Sequence, residues 1–430
     1  MWRNNFSAHS GPVFFRVLGV LAFLPILLAY YPKQIKNRKN ISAGRSLPAT
    51  TGLWRWAYNG NEMRSFDTVI IGGGIIGCAL ARVLAGSGLQ VAVVERGAPG
   101  EEASWAAAGM LSPSAEAEKG NPAFDLCRAS LQLYRQLAVE LQSETGMDCQ
   151  YRAEGTLVLF EDEQDRQTWR PSMEWQRSLG IPIQELSSSE LREREPQLAV
   201  FPGAFYLPED HQVDNRLLMQ ALVQSCRQRG VEFLLGKTVL EVERNGRRAS
   251  GVLLENDRIQ SGQVVNAAGA WAGAVRVPGL APAPIRPVKG HMLALESFPS
   301  LLRHVVRSHR VYLVPRSGGR VLVGSTMEEV GFDKTPRAGP VMRLLRAAQE
   351  VCPALEESAV AEFWAGLRPA SPDKLPLLGP TSLEGYFVAL GHFRNGILLA
   401  PITAQILSGW LLTGKPPVPA DALLPQRFDQ

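Results

Sequence analysis

The sequence has few cysteines, and none of them is spaced for a metal or a redox pair. The five are Cys78, Cys127, Cys149, Cys226 and Cys352. An odd number without a Cys-x-x-Cys or another metal-ligand spacing argues against a disulfide framework and against a cysteine metal site. We therefore predict reduced thiols, no bound metal and a catalytic body in the cytoplasm.

The sequence also lacks the charge that would favour nucleic acid as a partner. Its net charge is +4, but residues 1–62 alone carry +7, so the other 368 residues sum to −3. A slightly acidic body gives no electrostatic reason to bind a polyanion. Internal repeats and low-complexity tracts are absent as well, and 430 residues are enough for one large or two ordinary domains.

A long hydrophobic run is present only in marginal form. Residues 13–31 are mostly apolar, but the uninterrupted part, 17–31, has fifteen residues and contains Pro25, whereas a membrane span needs about 20. A basic cluster at 33–39 follows, and no small-x-small cleavage site is evident, so a signal peptide fits poorly.

Three interpretations of residues 1–62 stay open. We favour upstream sequence included by an early start, with the body beginning near Met63. A membrane anchor is the second, and the positive-inside rule would then place the body on the cytoplasmic side of an inner membrane. A transit or signal segment is the third.

A strand, a Gly-x-Gly-x-x-Gly turn, a helix, a second strand and an acid follow one another between residues 68 and 95. Gly72 allows the tight turn, Gly74 leaves room for a pyrophosphate, and Gly77 lets the helix pack close to the strand. The pyrophosphate would lie on the N–H groups at the helix N-terminus, and Glu95 would accept the ribose hydroxyls. This order predicts dinucleotide binding.

Dinucleotide folds serve NAD and FAD alike, and three further segments favour FAD. Small residues dominate 103–111 and 267–273, where the chain could pass close to a cofactor, although an alanine-rich helix is the alternative for the first segment. Near the C-terminus a strand, 386–391, leads through a turn into an apolar helix, 397–412. The N-terminus of that helix would stabilise negative charge on a reduced flavin.

These segments resemble the D-amino-acid oxidase superfamily of flavoproteins and, within it, most closely the glycine oxidases that supply the imine for the thiazole of thiamine. The matching motifs are Gly72–Gly77, Ser104–Leu111, Arg286–Gly290, Val311–Arg316, Trp364–Pro369 and Gly391–Pro401. They span residues 66 to about 415, and nothing in residues 1–62 matches.

The resemblance implies an α/β fold in which a Rossmann-like FAD-binding domain, of the D-amino-acid oxidase or glutathione-reductase type, is interleaved with an α+β substrate domain. Strands at 291–295, 311–315 and 321–324 would form an antiparallel sheet that covers the flavin. We expect the FAD-binding domain at 66–115, 205–275 and 360–415, the substrate domain at 116–204 and 276–359, an N-terminal extension at 1–62 and a tail at 416–430.

The resemblance also implies oxidative deamination of glycine, with sarcosine and D-alanine as further candidate substrates. A hydride would pass from Cα to N5 of non-covalently bound FAD, with no general base. The products would be an imine or glyoxylate, ammonia and hydrogen peroxide, and the imine would feed thiamine thiazole synthesis. Expected partners are the amino acid, O2, a thiazole synthase and further copies in a homo-oligomer.

Three other functions remain open at this stage. The first is a relative that acts on sarcosine, proline or a larger D-amino acid. The second is a membrane-associated dehydrogenase of D-amino acids or related amines that passes electrons to quinone. The third is a non-catalytic flavoprotein.

We expect arginines to bind the carboxylate of the substrate, because a guanidinium can hold a carboxylate by two parallel bonds. Arg368 matches the family's carboxylate-binding arginine, Arg394 a second substrate-contacting position and Tyr312 the active-site tyrosine. His392 receives no proton-transfer role. Besides the three motif glycines, the flavin contacts that the resemblance implies are Ile75, Ile76, Glu95, Arg96, Ala103, Ser104, Ala108, Gly109, Met110, Val239, His392, Phe393, Arg394, Asn395, Gly396, Ile397 and Leu398.

Overall fold

The computed structural model describes residues 64–428, so the apolar segment 13–31 lies outside the described residues. The strands, in chain order, are β1 (Ser65–Ile71), β2 (Val91–Glu95), β3 (Met110–Leu111), β4 (Thr156–Phe160), β5 (Gln184–Ser187), β6 (Gly203–Leu207), β7 (His211–Gln212), β8 (Glu232–Leu235), β9 (Val239–Asn245), β10 (Arg248–Leu254), β11 (Arg258–Asn266), β12 (Arg286–Glu296), β13 (Val305–Arg307), β14 (Tyr312–Pro315), β15 (Arg320–Gly324), β16 (Ala359–Ala370), β17 (Leu377–Pro380) and β18 (Tyr386–Leu390). The α-helices are α1 (Ile75–Gly86), α2 (Ala103–Ala106), α3 (Phe124–Thr145), α4 (Glu163–Ser178), α5 (Ser188–Arg194), α6 (Asn215–Gln228), α7 (Ala338–Val351) and α8 (Gly396–Thr413).

The first sheet has β1 at its centre. Its strand order is β17-β18-β11-β1-β2-β8, with β10 paired to β11 and β9 to β10. β1 runs parallel to both β2 and β11. Ile70 packs on one face in a core shared with α1, α3, α6 and α8, and Val69 packs on the other face against β9 and β10. Strands buried on both faces need continuous apolar sequence, which is why residues 68–71 and 91–94 were recognisable as strands. The α/β fold is thereby confirmed.

The second sheet has the order β16-β12-β15-β14-β13-β4-β6-β5. The three strands predicted at 291–295, 311–315 and 321–324 are confirmed as β12, β14 and β15, and they pair antiparallel. β13 and β4 are parallel, so the sheet as a whole is mixed. Helix α7 covers one face through residues such as Leu344 and Val351.

Sheet membership differs from the predicted segments at two strands. β6 and β16 lie mostly within the segments 205–275 and 360–415 that we assigned to the FAD-binding domain, yet both pair inside the second sheet. The division into domains stays a prediction, because strand pairing alone does not define a domain.

Helix α8 is confirmed where an apolar C-terminal helix was predicted. It is the one helix within residues 64–428 that is long and apolar enough to cross a membrane, but 67% of that segment is buried inside the protein. Its residues pack against α1 and α3 in the core of the first sheet. We therefore interpret α8 as a core helix.

Candidate active site

One cavity lies between the two sheets and collects most of the predicted site residues. The predicted residues that line it are Gly72, Gly74, Ile75, Ile76, Glu95, Arg96, Ala103, Ser104, Ala108, Gly109, Met110, Val239, Tyr312, Arg368, His392, Phe393, Arg394, Asn395, Gly396 and Ile397. Gly77 and Leu398 do not line it. The cavity thus extends from the glycine turn after β1 to the turn before α8, two segments more than 300 residues apart in the chain.

The three motif glycines of the turn differ in what an added Cβ would contact. Gly72 has a φ of +105°, and a Cβ there would lie 2.6 Å from the carbonyl oxygen of Ala267. A Cβ on Gly77 would collide with the carbonyl oxygen of Gly72, so this glycine serves the packing of α1 on β1. A Cβ on Gly74 would touch only Ser104 Oγ, at 3.4 Å, which is ordinary contact. Protein packing therefore does not require glycine at 74, and the space beside it belongs to the cavity.

Glu95 ends β2 directly beside this turn. Its Oε2 accepts a hydrogen bond from Gly73 N at 2.7 Å, and its Oε1 accepts one from Gly97 N at 2.8 Å. The guanidinium of Arg96 lies 3.6 Å from the centre of the Trp271 ring and pairs with Glu102 at 2.6 Å. These contacts fix an acid and an aromatic platform at the end of the cavity where we predicted the ribose.

The small-residue segment begins with α2, which is a single helical turn, so the alternative of an alanine-rich helix holds for Ala103–Ala106 only. Ser104 Oγ accepts from Ile75 N at 2.9 Å and thereby ties the segment to the first turn of α1. Buried Arg316 donates to the carbonyl oxygen of Ala108 at 2.5 Å. Gly109 has a φ of +67°, and a Cβ there would collide with Val213 O. The backbone is thus held along the cavity without bulky side chains.

Arg368 lies at the opposite end of the cavity, on β16. Its guanidinium crosses Gly290 of β12, where any Cβ would collide with it. It donates to Ser325 Oγ at 2.6 Å and to the carbonyl oxygen of Thr326 at 3.2 Å, and both partners are neutral. Burial lowers the pKa of Arg368 from its usual value. No ion pair of Arg368 occurs among residues 64–428, so the positive charge is available to an anion.

Tyr312 begins β14 and lies beside the same group of residues. Its hydroxyl donates to Met292 Sδ at 3.1 Å. Gly324, at the end of β15, has no room for a Cβ because the Tyr312 ring and Met292 Sδ occupy that space. The hydroxyl of Tyr312 therefore meets the cavity close to Ser325, which holds Arg368.

Arg394 has a different environment from Arg368. Its Nη2 lies 2.5 Å from Glu116 Oε1, and the same oxygen accepts from Arg307 Nη1 at 2.9 Å. Burial raises the pKa of the Glu116 carboxyl, but the two guanidinium groups outweigh burial and the net pKa is lowered. Sequence reasoning missed Glu116. No local signal marks it, because its partners are 191 and 278 residues away in the chain.

His392 lines the cavity, whereas Leu398 is the point at which the last predicted stretch leaves it. His392 is buried, its Nε2 lies 3.0 Å from Thr403 Oγ1, and burial lowers its pKa to about 3. Leu398 was predicted to contact the flavin ring, but its side chain packs in the core. The turn of α8 that brings Ile397 to the cavity rotates residue 398 away from it.

Neither a metal centre nor a cysteine forms part of this cavity. Residues 64–428 contain no group of three or more His, Cys, Asp or Glu that could hold a metal ion. All five cysteines fall within that range and are buried and unpaired, and none lines the cavity. Non-covalent binding of a flavin stays a prediction.

Comparison with known proteins places this geometry among FAD-dependent enzymes. The family model DAO, FAD dependent oxidoreductase, matches residues 67–410. A glycine oxidase from Pseudomonas aeruginosa is 35% identical over 81% of this chain and 95% of its own length. The crystal structure of glycine oxidase from Geobacillus kaustophilus has a TM-score of 0.82 at 33% identity and covers 85% of this chain and 99% of its own.

A longer relative is similar to this chain over part of its length. The bifunctional protein ThiO/ThiG from Synechocystis is 37% identical over 84% of this chain, but only 54% of that protein is matched. This chain therefore spans about half the length of such bifunctional relatives.

Proposed function

This chain belongs to the DAO family of FAD-dependent oxidoreductases, and from that premise we propose that it oxidises glycine, with release of an imine that hydrolyses to glyoxylate and ammonia. One O2 would be reduced to hydrogen peroxide for each glycine. The observation that carries the proposal is Arg368, a partly buried guanidinium with neutral partners at one end of the cavity. The similarity to a glycine oxidase along 95% of that protein supports the same substrate.

The residues of the cavity wall support the binding of FAD. Gly74 leaves a space that the protein itself does not fill, and the first turn of α1 borders that space. We propose that this turn holds the pyrophosphate, that Glu95 holds the ribose hydroxyls and that the N-terminus of α8 lies near the flavin ring. Bound FAD would supply the hydride acceptor and the reaction with O2.

The charge of Arg368 and the position of Tyr312 support glycine as the substrate. Arg368 would hold the carboxylate of glycine by its guanidinium fork, and the Tyr312 hydroxyl lies close enough to the same group to donate a second bond. Holding the carboxylate at this end directs Cα and the amine along the cavity toward the α8 turn. The chain's contribution is orientation, which can supply a large share of catalysis without an acid or base.

We further propose that the imine is consumed in thiamine thiazole synthesis. The relatives that join two activities under the name ThiO/ThiG support such a link. The proposal includes a thiazole synthase partner, a homo-oligomer and a cytoplasmic body, and the five unpaired cysteines support the last of these. Light scattering of the purified protein measures the oligomeric state.

The decisive experiment is anaerobic reduction. The FAD-loaded protein is mixed in turn with glycine, sarcosine and D-alanine while flavin absorbance is followed, and air is then admitted. We expect glycine to bleach the flavin and air to restore it with one hydrogen peroxide per flavin. A flavin that no amine reduces contradicts the proposal. Reoxidation by a quinone but not by air would favour the dehydrogenase alternative, which nothing in the cavity supports.

A further inference from the structure

We propose that Glu116 is a positioning residue that limits this site to substrates with one carboxylate, because it holds Arg394 in an ion pair and leaves Arg368 as the anion receptor. The inference rests on the proposed amine oxidation and extends it to substrate selectivity. The resemblance suggested that both arginines contact the substrate. The structure separates them by their partners.

The contacts of the two arginines differ in charge. Arg368 bonds a hydroxyl and a carbonyl group, so its charge is not compensated. Arg394 bonds the carboxylate of Glu116, whose side chain is 13% exposed, whereas that of Arg394 is 38% exposed. A desolvated carboxylate that bonds a guanidinium is held strongly. The pair therefore occupies Arg394 before any substrate arrives.

Glu116 is held in place by contacts outside the cavity as well as by Arg394. Arg307 contacts the same carboxylate oxygen from a position outside the cavity lining. The loop that carries Glu116 is anchored by buried Asp210, which accepts from Ser114 N at 3.0 Å and from Ala115 N at 2.8 Å. Because Arg307 holds the carboxylate and Asp210 holds the loop backbone, Glu116 stays next to Arg394.

A second carboxylate on a substrate would meet this pair. With Glu116 ionised, the approaching anion would find a guanidinium that is already paired and a carboxylate that repels it. Without the Glu116 charge, Arg394 would become a free cation at the rim of the same cavity. The negative charge of Glu116 therefore selects against dicarboxylates, which is specificity by repulsion.

Glu116→Gln tests this inference with two substrates, glycine and iminodiacetate, which is glycine bearing a carboxymethyl group on nitrogen. We expect the ratio of kcat/KM for iminodiacetate to that for glycine to rise at least tenfold, mainly through a lower KM for iminodiacetate. Glu116→Asp keeps the charge and should keep the ratio near that of the wild type. Glu118→Gln removes one charge from the same loop at an exposed position that also acts on Arg394. Because Glu118 forms no ion pair with Arg394, this variant should raise the ratio much less than Glu116→Gln does.

A binding measurement separates this inference from the proposed function. Malonate and acetate, a dicarboxylate and a monocarboxylate that cannot be oxidised as amines, are titrated into the FAD-loaded wild type and Glu116→Gln while flavin absorbance is followed. We expect the variant to bind malonate at least tenfold more tightly relative to acetate. An unchanged ratio in both assays overturns the role of Glu116, whether or not glycine reduces the wild type. Failure of glycine to reduce the wild type, with a shifted malonate ratio, overturns only the proposed substrate.

Discussion

At the scale of single residues, the site depends on Arg368, a guanidinium that forms no ion pair with any residue in the described range 64–428. Arg368→Lys keeps the charge but loses the planar fork. A charge-assisted hydrogen bond contributes about 1.5–3 kcal/mol, so we expect KM for glycine to rise at least tenfold in steady-state assays.

The effect of Arg368→Lys on KM is compared with two controls. Flavin absorbance should stay that of the wild type, because the predicted cofactor contacts are elsewhere in the cavity. Arg286→Lys on β12, whose guanidinium lies 3.2 Å from the Glu329 carboxylate and outside the cavity, should leave KM unchanged. Equal KM values for Arg368→Lys and wild type would contradict the role of Arg368.

Asp210 gives the protein a residue-scale dependence of stability on pH. Burial raises the pKa of its carboxyl to about 7, although backbone N–H groups of Ser114 and Ala115 act in the opposite direction. In the unfolded chain the pKa of Asp is about 3.9. The folded protein therefore binds this proton more tightly, and the resulting stabilisation is present below pH 4 and is lost as pH rises through 7.

Asp210→Asn removes this titration. We expect the free energy of unfolding of the wild type to fall more between pH 5 and pH 8 than that of the variant, by about 1.4 kcal/mol for each pKa unit that separates the states over that range. Urea unfolding of both proteins at the two pH values measures the difference. Parallel pH profiles would show that Asp210 does not titrate in this range.

At the scale of elements, the turn between β1 and α1 separates packing from cofactor binding. Gly77→Ala should destabilise the fold, because the added Cβ collides with Gly72 O. Gly74→Ala should fold normally, because its Cβ makes only ordinary contact, yet it should bind FAD at least tenfold more weakly because the methyl group enters the space proposed for the pyrophosphate. Thermal unfolding of the apoprotein and FAD titration measure the two effects.

Gly262→Ala on β11 is the matched control for both variants. A Cβ there would come no closer than 3.8 Å to any neighbour, and residue 262 lies outside the cavity lining. It should change neither the unfolding temperature nor the affinity for FAD by a measurable amount. Normal FAD binding by Gly74→Ala would contradict the position proposed for the pyrophosphate.

The sequence could predict those elements that depend on local patterns, but not the contacts between residues far apart in the chain. Local patterns sufficed for β1, α1, β2 and α8, because apolar periodicity and glycine spacing act within a few residues. Pairing between distant strands was harder to predict, because β16 pairs in the second sheet with β12, whose last residue lies more than 60 positions upstream. The contact of Glu116 with Arg394 joins residues 278 apart, and the resemblance supplied no expectation for it.

At the scale of the whole molecule, one range of described residues, 64–428, contains both sheets and the cavity. Every residue to which we assign a role in binding FAD or glycine lies within it. The interpretation that the body begins near Met63 can therefore be tested by function.

We expect Met63–Gln430, produced alone, to bind FAD and to oxidise glycine with the kcat and KM of the full chain, because residues 64–428 supply the described strands of both sheets and the described lining of the cavity. Full-length and shortened proteins are assayed with and without a mild detergent. Equal rates in all four samples would support the soluble oxidase and leave residues 1–62 without a catalytic role. A full chain that is active only with detergent, and a shortened chain that reduces its flavin but transfers electrons poorly to O2, would instead favour the anchored dehydrogenase. The two functions thus differ in which part of the chain supports electron transfer, while the carboxylate site at Arg368 would serve both.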